Sequence, residues 1–118
     1  MQLSTYEING SPIAEVHADN IIINNAGDAT DLIGNLYFQG FEKVILHELN
    51  IDPAFFDLKS GIAGDILQKF TNYRMKLAIV GDFSKFNSKS LKDFIFESNR
   101  QKQINFVANT EDALQALS

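Results

Sequence analysis

Met75-Lys76-Leu77-Ala78-Ile79-Val80-Gly81-Asp82 decides the fold. Leu77 to Val80 is apolar without alternation, so neither side chain row of this stretch expects water. A strand covered on both faces reads this way, and such strands belong to the interior of a parallel sheet. Gly81-Asp82 ends it. On the near side, Ile62, Ile66 and Phe70 recur every four residues with Ala63 and Leu67 beside them, which predicts a helix from a Ser60 cap to about Asn72. On the far side, Ser88 or Ser90 caps a further helix with Leu91, Phe94 and Ile95 inward, and Ile104 to Val107 is the next strand. Helix, strand, helix, strand is the rhythm of parallel strands joined by helical crossovers.

The amino-terminal part opens differently. Leu3, Tyr6 and Ile8 alternate loosely, Asn9-Gly10 favours a tight turn because both residues accept positive φ, and Ile13 to His17 is the return strand. Asp19-Asn20 interrupts, and Ile21-Ile22-Ile23 predicts a short buried strand. Ala29, Leu32, Ile33, Leu36 and Tyr37 mark one face of a helix over Asp28 to Gln39, with Asp28 as N-cap and Gly40 as a left-handed stop. The end of this segment, Asn35-Leu36-Tyr37-Phe38-Gln39-Gly40, matches the core of a protease site used in recombinant fusions. It continues the helix pattern and follows Gly34 rather than the glutamate of such tags, so it is read as native sequence. Lys43 to Leu46 is a strand, and Thr110 caps a last helix carrying Ala113, Leu114 and Leu117 on one face. The expected fold is α/β: an amino-terminal hairpin, then β-α repeats, in a mixed and mostly parallel sheet with about four helices. One domain spans residues 1–118.

Composition narrows the function classes. The chain has 118 residues, 45% hydrophobic and 21% charged, which suits one soluble domain. No apolar run approaches a membrane span, and the start lacks the basic and apolar regions of a signal peptide. The absence of cysteine removes disulfides and thiolate metal sites and fits a cytoplasmic location. A formal charge of −5, with no basic stripe, argues against nucleic acid as a partner.

Four stretches carry a family resemblance: Phe55 to Gly64, Phe70 to Arg74, Lys76 to Ser84 and Ser90 to Asn99. Together they resemble the bacterial domain-of-unknown-function family 4180, over nearly the whole chain and most specifically in its last two-thirds. That resemblance implies no activity. More distantly, the order strand, D-x-x-S-G, helix, apolar strand resembles anti-sigma-factor antagonist (STAS) domains, whose serine at the start of the first long helix is phosphorylated by partner kinases. The matching positions are Asp57, Ser60 and Gly61. Leu58-Lys59 stands where small or polar residues are usual, and the acidic loop before Asp57 is long.

Three groups are expected beyond the carboxyl ends of the strands, where open α/β sheets collect ligands. These are His47-Glu48, the Asp57-to-Gly61 turn, and Asp82-Phe83-Ser84-Lys85. Ser60 has the clearest chemistry, since phosphate suits a helix amino end; the plain alternative is an N-cap contributing about 1 kcal/mol. His47 and Glu48 are adjacent and point to opposite faces of a strand, and His17 lies away in the hairpin, so no metal centre and no cofactor is implied. Glu48, Asp52, Asp57 and Asp82 offer an all-carboxylate alternative, against ordinary solvated acids. Gly61-Ile62-Ala63-Gly64 and Gly81-Asp82-Phe83-Ser84 fit no phosphate-loop pattern, and Ser84-Lys85 reads as a turn rather than a catalytic pair. Phe55, Phe56, Phe83 and Phe86 either form an exposed apolar patch, as for a protein partner or a homodimer, or tuck a short helical turn over the core. The leading expectation is a non-enzymatic regulatory interaction domain with a switch at Ser60. Its rival is a small enzyme or ligand-binding protein using the carboxylates and His47.

Overall fold

The computed structural model describes residues 1–118. Two antiparallel strands, β1 (Gln2–Ile8) and β2 (Ser11–His17), form the opening hairpin. Its turn holds Asn9 and Gly10 at φ +54° and +78°, the left-handed pair that matches the strand twist. Then follow α1 (Ala26–Phe38), β3 (Lys43–His47), α2 (Ile62–Asn72), β4 (Lys76–Val80), α3 (Lys89–Gln101), β5 (Ile104–Val107) and α4 (Thr110–Leu117). The sheet runs β1-β2-β3-β4-β5, with every pair after the hairpin parallel. The α/β class and the hairpin-first order are as expected.

Strands added always on the same side, through connections of one hand, carry every connecting helix to the same face. The larger core accordingly joins Ala29, Leu32, Ile33 and Leu36 of α1, Ala63, Ile66, Leu67 and Phe70 of α2, and Leu91 of α3 to Val16, Val44, Leu46, Leu77 and Ile79. The opposite face has a smaller core of Ile13, Ile45 and Ala78 under Ala113 and Leu117 of α4. Leu77, Ala78 and Ile79 are all buried, as a strand covered on both sides requires.

Several local expectations are corrected. Ile21 to Ile23 does not enter the sheet. Both sides of β2 are already bonded, so Ile22 and Ile23 donate their amides to the Asn50 carbonyl, and Ile23 forms only a single bridge with Ile51. Helix α1 begins before Asp28. Asn25 caps it by accepting from the Asp28 amide at 2.9 Å, while the Asp28 carboxylate accepts from the Asn24 amide. Tyr37 sits at the margin of the apolar stripe and is half exposed, whereas Leu36 is fully buried. Gly40 ends the segment at φ +93°, which only glycine adopts without strain. Asn109, not Thr110, caps α4.

The four clustered phenylalanines do not form an exposed patch. Pro53–Phe56 is a short 3-10 turn that buries Phe55 and Phe56 completely or nearly so. Phe56 stacks on Phe86 at 4.8 Å, and Phe83 meets Phe106 edge-on at 5.3 Å, with Phe83 and Phe86 half-buried. The tucked-turn alternative is the observed one. The large exposed rings are instead Phe38, 93% exposed, and Phe96, 65% exposed. Phe55→Ala should therefore cost about 3–5 kcal/mol by opening a cavity, and Phe38→Ala less than about 0.5 kcal/mol. Urea unfolding of the two variants checks this; similar costs would place Phe55 wrongly.

Candidate functional site

The carboxyl edge of the sheet is dense with acids, and most of them serve their own loops. Asp52, Asp57 and Asp82 each precede a 3-10 turn and accept the amide two residues on, from Ala54, Lys59 and Ser84. The Ser84 hydroxyl and amide also hold the Asp82 carboxyl below its usual range. Glu48 is buried and pairs with Lys85 Nζ at 2.7 Å. Its stem packs so closely on Gly81 that a Cβ there would collide with it. Ser84 and Lys85 thus turn to different partners. The four carboxylates named as an all-oxygen metal alternative do not converge.

Ser60 lies one residue before Gly61, whose φ of +79° turns the chain into α2. Its Oγ donates to the Ala54 carbonyl at 2.8 Å and accepts from the Ile62 amide at 3.2 Å. The expected capping of α2 by Ser60 is corrected: Gly61 is the N-cap, without a side-chain cap bond, and Ser60 closes the 3-10 turn Leu58–Ser60 before it, its side chain exposed.

The densest chemistry lies on the other face, where the residues of β2 at positions 13, 15 and 17 alternate outward from the larger core. Glu15 is 3% exposed. Its carboxylate accepts from the Tyr6 hydroxyl at 2.7 Å, from His47 Nε2 at 2.7 Å and from the Thr110 hydroxyl at 3.1 Å. An ionised carboxylate only accepts, so the His47 nitrogen facing it carries the proton. His17 Nε2 stands 3.7 Å from the second carboxylate oxygen and 2.8 Å from the Ser4 hydroxyl. The two imidazole rings are 5.9 Å apart. Because Asn109 takes the capping role, the Thr110 side chain is free to reach Glu15.

An open cleft of about 560 Å³ lies over the two histidines, with Asp19, Leu49 and Asn50 in its wall. The Asn50 amide fixes this wall by donating to the carbonyls of Ala18 and Asn20 at 2.8 and 2.9 Å.

The chain belongs to the family described as Domain of unknown function (DUF4180). That family's model matches residues 8–117. No curated protein and no solved structure matches the chain. In this DUF4180 chain the Glu15 cluster draws on β1, β2, β3 and α4, so most of its members lie inside the matched segment.

Sequence reasoning placed His47 on the edge but separated it from His17 and passed over Glu15. Glu15-Val16-His17 did hold a signal, since residues two apart in a strand share a face. The partner was hidden in the register. Ile13, Ala14 and Glu15 pair with Lys43, Val44 and Ile45, and the same offset brings His17 level with His47.

Burial pushes the Glu15 carboxyl up, but the three side-chain donors and the nearby His17 together leave it below the usual glutamate range. The same contact raises the Tyr6 hydroxyl. A carboxyl depressed on folding lends stability that is complete above its unfolded value, about 4.3, and is lost as pH falls through the folded value. Wild type should therefore lose more stability than Glu15→Gln when pH is lowered from about 7 to about 3. Urea midpoints at a series of pH values check this, and parallel losses would contradict the assignment.

Proposed function

We propose that the chain is a non-enzymatic protein-interaction domain of STAS-like fold, acting in bacterial cytoplasmic regulation. Its contact edge carries Asp57, Ser60 and Gly61, and phosphorylation of Ser60 is the switch. The observation that carries this reading is the exposure of Ser60 on the turn into α2, within Asp57-Leu58-Lys59-Ser60-Gly61. A consecutive strand order has no point of reversal, the place where open α/β sheets commonly bind small ligands. The edge therefore meets a partner as a surface.

The local chemistry supports a switch. The Ser60 hydroxyl donates to the Ala54 carbonyl. A phosphate ester replaces that donor with acceptor oxygens and adds a charge of about −1.5 to −2. The bond to Ala54 is lost, and Asp57 repels the new charge. Ala54 belongs to the turn that packs Phe55 and Phe56, so modification loosens the surface around it. Lys59 borders the same hollow as Asp57 and supplies a cation for the displaced phosphate.

Isolated from its source organism, the chain should carry phosphate on Ser60. A partner retained by wild type and by Ser60→Ala should be lost from Ser60→Asp. An unmodified Ser60, with equal retention by all three forms, contradicts the proposal.

A further inference from the structure

Burying a carboxylate costs free energy unless its lone pairs are met, and an apolar residue at position 15 would fill the same space without that cost. The chain instead keeps Glu15 buried and sets two half-exposed histidines at its rim, below an open cleft. We propose that Glu15, His17 and His47 bind one divalent transition-metal ion, zinc being the ion their donor set suits.

One ligand atom from each residue lies within 4.8 Å of the others. Zinc bonds to nitrogen and oxygen of about 2.0–2.2 Å put neighbouring ligand atoms of a tetrahedral site roughly 3.4 Å apart. The present separations from the Glu15 oxygens, 2.7 Å to His47 and 3.7 Å to His17, fall on either side of that value. Small side-chain rotations close the difference, and β2 and β3 are already locked side by side by their ladder. His47 takes the other neutral tautomer on binding, its proton moving from Nε2 to Nδ1 by exchange with solvent, and Nε2 becomes a ligand.

Two imidazoles and one carboxylate favour zinc over magnesium or calcium, which prefer oxygen-only shells. Tyr6 and Thr110 already hold the carboxylate in orientation, as hydrogen-bonded partners of metal ligands do. The fourth position faces the cleft, where water or a small anionic ligand fits. The site is separate from Ser60, whose turn packs with α2 on the opposite face, so either proposal can fail alone.

Chelator-treated protein is titrated calorimetrically with zinc chloride and, separately, magnesium chloride. The expected result is one Zn²⁺ per chain, no Mg²⁺ uptake, and a melting temperature raised by zinc. His17→Ala and His47→Ala should each weaken Zn²⁺ binding by about tenfold or more. Both histidines are partly exposed, so these variants should melt close to wild type without metal, which separates loss of ligand from loss of fold. Ser60→Ala should bind Zn²⁺ as wild type does. No Zn²⁺ uptake by wild type, or equal uptake by the His17→Ala, His47→Ala double variant, overturns the proposal.

Discussion

The consecutive order of the five strands is the constraint on which the rest depends. With each parallel strand added on the same side, α1, α2 and α3 have only one face to occupy, and the larger core forms there. The second face is left to α4, which packs on β3, β4 and β5. Toward the hairpin, α4 covers Ile13 and reaches Glu15 through Thr110. A side chain there must tolerate water at one end and the core at the other, and Tyr6, Glu15, His17 and His47 occupy this border.

The same topology explains the carboxyl edge. Without a reversal of strand order the sheet lacks the place where open α/β sheets commonly bind small ligands. The long connection from β3 to α2 instead folds back as three 3-10 turns, two of them opened by an aspartate that satisfies a backbone amide. Buried phenylalanines pin these turns to β5 and to the loop before α3. Acids that look like a reactive cluster in one dimension are thereby spent on holding the loop. Ser60 stays at the surface because its neighbours supply the packing.

Most of the fold was legible because it rests on local signals. The apolar run of β4, the four-residue spacing in α2, the Asn9-Gly10 turn and the Gly40 stop each depend on nearby residues alone. The larger errors arose where the outcome depends on distant pairing. Ile21 to Ile23 has strand composition, but no free sheet edge was within reach. The cap errors were instead local: Asn25 and Asn109, not Asp28 and Thr110, accept the amide three residues ahead. The Glu15 cluster was the hardest to read. Thr110 lies 95 residues from Glu15 in sequence and His47 lies 32, and neither spacing resembles a known ligand motif. Glu15-Val16-His17 was the visible half of the signal, and the other half required the β2–β3 register.

That register therefore tests the account most directly. Nuclear Overhauser contacts of the His17 and His47 ring protons can be measured in solution on the wild-type chain. The account predicts cross-peaks between the two imidazoles, 5.9 Å apart by their centres, and from the His47 ring to β2 across the sheet. Rings that see only their own sequence neighbours would contradict it, because β3 would not then lie parallel beside β2 in the register that assembles the cluster.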